Sequence, residues 1–131
     1  MEKLEMKKLP ILFCLLFLIG CSPLSQLKKD YKKVVYINGI NRFEAITIAQ
    51  MFLVKSIYRP YYPQIPAYVR DDEHAQQYSD YWFVDFSPEL TFDAPSYLVV
   101  IHRQTGDVIY NGEYWPRKML DLQWVFDRAN K

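Results

Sequence analysis

Apolar positions follow three different rhythms along this chain. An unbroken apolar run spans Ile11–Ile19. Ser22–Asp30 is then polar and Lys-rich with no apolar period, which predicts a linker. Lys33–Ile37 reads as a short strand or an extended lead-in, and Asn38-Gly39 closes it as a turn. From Asn41 the rhythm becomes helical. Ala45, Ile48, Ala49, Phe52 and Leu53 make one stripe, flanked by Ile46 and Ile57, while Glu44, Thr47, Gln50 and Lys55 take the other side. Asn41 is a good N-cap with Glu44 at the third helical position, as a capping box requires. Pro60 disfavours helix in the residue before it, so the helix is predicted to stop by Tyr58 or Arg59.

The second half of the chain reads as strands. The prolines of Pro60–Pro66 predict an extended connection, with Ile65–Arg70 entering a sheet as an edge strand. Asp71–His74 is expected to be a polar loop. Tyr78–Phe86 alternates, with Trp82, Val84 and Phe86 on one face and Tyr81, Phe83 and Asp85 on the other, the second face expected to point outward. Ser87–Pro95 reads as loop. Tyr97–Arg103 is strongly β and returns as Val108–Tyr110 through a turn in which Gly106 takes the left-handed position, setting Arg103 across from Asp107. Asn111-Gly112 reads as a second turn or the strand's end. Trp115-Pro116 opens a last helix with the stripe Trp115, Met119, Leu122 and Phe126, joined by Val125 and Ala129. The expected fold class is α+β: an antiparallel meander of about four strands covered by an N-terminal helix, with a further C-terminal helix and the helices on one face.

The first rhythm changes meaning once its flanks are read. Lys3, Lys7 and Lys8 precede the apolar run, and Leu18-Ile19-Gly20-Cys21 closes it. A bilayer-spanning helix needs about 20 apolar residues, and this run is roughly half of that. A positive start, a short apolar centre and a small residue at the end describe a signal peptide. The last four residues resemble the lipobox of bacterial lipoproteins. The resemblance implies cleavage between Gly20 and Cys21, a diacylglycerol thioether with an N-linked acyl chain such as palmitate on Cys21, and removal of residues 1–20. It also implies a tether over 21–32, a single domain over 33–131, and, because Ser22 follows the cysteine, sorting to the periplasmic face of the outer membrane. Two or more acyl chains hold a protein stably at a bilayer.

Composition narrows the rest. The chain has 131 residues, enough for one modest domain. Without the leader's lysines and glutamates the acids and bases are equal in number, so no basic face for nucleic acid is implied. The basic cluster Lys28, Lys29, Lys32 and Lys33 reads first as a solvated tether and second as an attraction for anionic headgroups. Of the two cysteines, Cys14 lies in the leader and Cys21 carries the lipid, so the domain must be held by core burial alone. With 50% hydrophobic and 17% aromatic residues, it has the means.

No residue set points to catalysis. Nucleophilic catalysis needs a base beside the nucleophile, and the domain has no cysteine for attack. His102 is read as an edge residue and His74 as part of a solvated loop, with Asp71-Asp72-Glu73-His74 too local to enclose a metal ion. Asp85 is the best candidate for a perturbed carboxyl. No glycine-rich phosphate loop is present. No cofactor is expected beyond the covalent lipid on Cys21. The tyrosines are the remaining chemistry, because Tyr is enriched at protein-binding hot spots. Tyr58, Tyr61, Tyr62 and Tyr68 are the expected partner-binding residues, and double replacement of Tyr61 and Tyr62 is expected to spare the fold.

Glu44–Ala49 on its helix, the proline-rich connection, Tyr81-Trp82-Phe83-Val84, Tyr97–Ile101 and Thr105-Gly106-Asp107-Val108 together resemble two families. One is the immunity proteins of nuclear-transport-factor-two-like (cystatin-like) fold, which neutralise toxins of bacterial polymorphic toxin systems. The other is the PepSY-type and peptidase-propeptide domains, which share the Thr-Gly-x-Val turn. The likeness covers about residues 36–115. Asp93-Ala94-Pro95-Ser96 stands where the immunity family has glycines. Either likeness implies a non-catalytic domain that binds a protein, a toxin in the first case and an envelope peptidase or assembly machine in the second. A small-ligand pocket enzyme is the remaining alternative.

Overall fold

In the computed structural model, residues 23–62, 67–87, 94–116 and 121–130 are described. The leader, Gly20 and Cys21 with its cleavage site, Ile65 and Pro66 of the expected edge strand, the loop over 88–93 and Met119 lie outside them.

Residues 23–32, expected as linker, form a helix instead. Helix α1 (Pro23–Lys32) starts on a proline, whose missing N–H costs nothing in a first turn, and ends with Lys29 and Lys32 beside the negative end of the helix dipole. Leu24, Leu27 and Tyr31 recur on one side and are half-buried. Tyr31, with Val34 beyond it, packs on the core. Three apolar positions in ten residues are enough once a neighbouring helix supplies the other half of the contact.

The chain then runs extended without becoming a strand. Gly39 turns it with φ +82°, the conformation only glycine adopts freely. The Ile40 amide donates to the Arg103 carbonyl at 2.6 Å, and the Ile40 carbonyl accepts from the Trp82 indole at 2.7 Å. Helix α2 (Arg42–Lys55) begins as expected. The Glu44 amide donates to Asn41 Oδ1 at 2.8 Å, and the Asn41 amide donates back to Glu44 Oε1 at 3.1 Å. Ala45, Ile48, Ala49, Met51 and Leu53 are buried. Thr47, expected on the solvent side, is buried too, its hydroxyl donating to the Phe43 carbonyl at 3.1 Å. Ile57 lies past the helix end and is exposed.

The sheet is four antiparallel strands in the order of the chain, β1 (Tyr68–Val69), β2 (Tyr81–Phe86), β3 (Ser96–His102) and β4 (Val108–Tyr114). The α+β class and meander hold, with β1 shorter than expected and β4 continuing through Asn111 and Gly112. The register shifts between Val100 and Ile101, so that Val100 faces Tyr110 and Ile101 faces Val108. The His102 amide donates to the Asp107 carbonyl at 2.8 Å. His102, not Arg103, therefore stands opposite Asp107, because the turn takes the four residues Arg103–Gly106, one more than expected, with Gly106 at φ +77° and the Arg103 amide donating to the Asp80 carbonyl at 2.8 Å.

Both faces of the sheet are covered, where one was expected. Val69, Val84, Phe86, Tyr97, Val99 and Ile101 pack beneath α2. Phe83, Leu98, Val100 and Tyr114 form a second core with Leu122 and Val125. Val125 lies on the last helix, α4 (Gln123–Ala129), and Leu122 is its N-cap. Ala75, from the one-turn helix α3 (Glu73–Gln76), joins that core, so the expected polar loop turns helical at Glu73. Helix α4 starts at Gln123 and excludes Trp115 and Pro116. Strand β3 is buried on both sides, which is why its sequence is continuously apolar.

Candidate functional site

The four tyrosines named from sequence divide. Tyr61 is 70% exposed, and Tyr68 is exposed with its hydroxyl 3.3 Å from Asp71 Oδ1. Tyr58 is half-buried with its ring tilted against Tyr97 at 5.6 Å. Tyr62 is only 3% exposed. Its hydroxyl donates towards the Pro95 carbonyl (3.3 Å) and Glu113 Oε1 (3.2 Å), and burial raises its phenol pKa. Tyr62 belongs to the core, so it is unfit as a partner contact, and the double replacement with Tyr61 would damage the fold.

Asp85 is a second departure. It is 8% exposed, not outward-facing, because the face it shares with Phe83 lies under the second core. Tyr114, two strands away on β4, donates its hydroxyl to Asp85 Oδ2, while Asp85 Oδ1 has no hydrogen-bond partner. Burial pushes the carboxyl up, and the Tyr114 hydroxyl, the Arg70 guanidinium and the Ser96 hydroxyl pull it back. Arg70 is itself clamped by Asp72 through two bonds of 2.8 and 2.7 Å, and the Ser96 hydroxyl lies 2.6 Å from that of Ser87. The Trp124 ring stacks on Tyr114 at 5.8 Å. A carboxyl with a raised pKa has the electronics of an acid-base group. Its contacts here are internal, and neither Asp85 nor Tyr114 lines a described cleft.

His102 holds a turn. His102 Nδ1 accepts from the amides of Gln104 (3.1 Å) and Thr105 (3.3 Å). His74 sits in α3. Among the described residues no group of three His, Cys, Asp or Glu side chains could hold a metal ion, and no helix is long and apolar enough to cross a membrane.

The open feature of the surface lies where the lead-in meets the β3–β4 turn. A cleft of about 510 Å³ is lined by Val35, Asn38, Asn41, Glu44, Trp82 and Arg103, among others. Arg103 lies flat on Trp82, 3.9 Å from the ring centroid, with Nε donating to the Tyr81 carbonyl at 3.2 Å. Its two Nη groups have no carboxylate among the described residues. Glu44 shares the cleft, but its oxygens are taken by the amides of Val35 (2.8 Å) and Asn41 (3.1 Å). Val35 in the cleft lining is exposed, as are its chain neighbours Tyr36 and Ile37 (94% exposed), and Phe43, 65% exposed in the first turn of α2, lines a smaller cleft that shares Asn41 and Glu44. Sequence reading passed over these residues because Val-Val-Tyr-Ile reads as a strand. The available clue was the lack of a partner strand for it, since Asn38-Gly39 leads straight into a helix.

The tyrosine segment is not brought together with this cleft by any described contact, and Cys21 lies outside the described residues. No family model matches the chain, and neither the curated proteins nor the solved structures hold a significant match to it.

Proposed function

We propose that the protein is a lipid-anchored binding domain of the bacterial cell envelope, which acts on a protein partner by occupying it, as an immunity protein occupies a toxin. The observation that carries this reading is the exposed apolar run Val35-Tyr36-Ile37 beside a cleft whose guanidinium is ready for an acidic group, with exposed Phe43 on the adjoining smaller cleft. Large apolar side chains in a contiguous solvent-facing group mark interaction surfaces. Trp and Arg side chains, such as the stacked Trp82 and Arg103 here, are enriched at binding hot spots. The interior titratable groups are engaged with one another, which favours binding over chemistry. Tyr61 and Tyr68 offer a second exposed aromatic group.

The test is protection. The reading expects a toxin gene beside this one: cells exposed to its product should grow when the protein is present, and Ile37→Asp with Phe43→Asp should remove protection while circular dichroism stays native. Growth arrest despite the intact protein would exclude the immunity role. Unchanged protection by the double variant would move the contact elsewhere, with Tyr61 and Tyr68 the next surface to vary.

A further inference from the structure

Of the lysines beyond Cys21, Lys33 lines the small cleft that holds Phe43, whereas Lys28, Lys29 and Lys32 line neither described cleft. In a slack linker four lysines would face every direction. Here they ride on a helix that is packed on α2 through one stripe and so belongs to the folded body. Lys28, Lys29, Lys32 and Lys33 are all exposed, whereas Leu24, Leu27 and Tyr31 are half-buried. At 3.6 residues per turn the three helical lysines share an arc of about 100°, beside the docking stripe and not within it. Lys33 follows directly. Among the described residues none of the four has a carboxylate partner. Asp30, placed between them, is half-buried and accepts from Gln26 Nε2 at 2.9 Å. The cluster is therefore a one-sided, unneutralised cationic face on a domain whose charges balance only when these four lysines are counted.

Its position says what it meets. Pro23 is two residues from Cys21, and a helix rises about 1.5 Å per residue, so all four lysines lie within about 20 Å of the lipid graft. That is about two Debye lengths at physiological salt. We infer that the lysine face of α1 docks on anionic phospholipid headgroups of the same bilayer that holds the acyl chains, and so fixes the orientation of the domain. The inference rests on Cys21 being the lipidated residue. A slack linker would let headgroups attract the lysines without turning the body. A packed helix transmits that attraction to the whole domain and presents the Arg103 cleft in one direction.

The acylated protein, purified from its membrane, is placed in vesicles of phosphatidylcholine alone or with a large share of phosphatidylglycerol. Amine labelling is then read by mass spectrometry. In the anionic vesicles Lys28, Lys29, Lys32 and Lys33 should label about fivefold more slowly than in phosphatidylcholine alone, an effect that high salt removes. With the four lysines replaced by Gln, neutron reflectometry should give the same protein-layer thickness on both membranes, against a thinner layer on the anionic one for the natural protein. Equal labelling in both membranes, with the acyl chains shown in place on Cys21, overturns the inference and leaves the anchor standing. Slowing that persists at high salt also overturns it. Recovery of the protein without acyl chains overturns the anchor, and this orientation with it.

Discussion

The phenol of Tyr114 donates to Asp85 across the width of β3, joining two strands that do not touch each other. Leu98 and Ser96 are the β3 residues between them, paired with Asp85 and Tyr114 respectively. The bond places a polar tie inside an otherwise apolar core. Because Asp85 Oδ1 already lacks a partner, the tie is the carboxyl's main compensation for leaving water. Tyr114→Phe should therefore destabilise the protein by about 1–3 kcal/mol at neutral pH. Urea unfolding checks this, and an unchanged midpoint would mean that water reaches the carboxyl.

Two aspartates should give opposite pH signatures. Burial raises the Asp85 pKa in the folded state. A raised acid binds its proton more readily when folded, so its stabilising share is fully present below the unfolded value of about 3.9 and is lost as pH rises through the folded value. The hydrogen bond from Arg70 lowers the Asp72 pKa, so its share is present above about 3.9 and is lost as pH falls through the folded value. Stability of the natural protein relative to Asp85→Asn should fall with rising pH from about 4 upward. Relative to Asp72→Asn it should fall with acidification below about 4. Parallel slopes for the two variants would contradict both assignments.

Adjacent tyrosines should behave as different residue types. Tyr62→Ala empties a core position and should cost about 3–5 kcal/mol, as large aromatic truncations do. Tyr61→Ala should stay within about 0.5 kcal/mol. Thermal unfolding of the two single variants is the measurement. Only Tyr61 and Tyr68 are clean probes of a tyrosine-borne contact.

Gly106 should resist any side chain. Its φ of +77° strains an L-residue, and an added Cβ would lie 2.5 Å from the Tyr36 ring. Gly106→Ala should cost more than about 1 kcal/mol. It should also displace Tyr36, which a change in tyrosine fluorescence or an NMR shift at Tyr36 would report. At Gly39 the nearest atom is the Arg103 carbonyl at 3.3 Å, so Gly39→Ala should unfold at a higher urea concentration than Gly106→Ala.

Removal of the cap should weaken α2 in proportion to a single lost bond. Asn41→Ala leaves the Glu44 amide without its acceptor and should cost about 1 kcal/mol. Glu44→Ala should cost more, because the carboxylate also holds the Val35 amide and with it the rim of the cleft. Hydrogen exchange at Val35 and Asn41 distinguishes the two.

The capping box, α2 and the β3 run were legible because each is decided locally, by a side chain three residues from its partner or by an unbroken apolar stretch. Helix α1 was not, since its three apolar positions carry meaning only beside α2. Asp85 failed for a related reason. Alternation in Tyr81–Phe86 separates two faces but does not say that the second is also roofed, and the roof arrives with Leu122 and Val125, almost forty residues later. Thr47 was misplaced because its hydroxyl satisfies itself on the Phe43 carbonyl, which lets a polar residue sit inside. The Arg103 cleft is non-local too: Ile40, Trp82 and Arg103 meet only through tertiary hydrogen bonds and the stacking of Arg103 on Trp82.

The two borders of the sheet are unequal. One ends in a strand of two residues, too brief to serve as a template, while the other is the seven-residue β4, with no described strand on its outer side. Among the described strands, a newcomer chain seeking to extend the ladder would find its longest row of rungs along β4. Crowding many copies together therefore exposes this fold to strand-to-strand capture along that border.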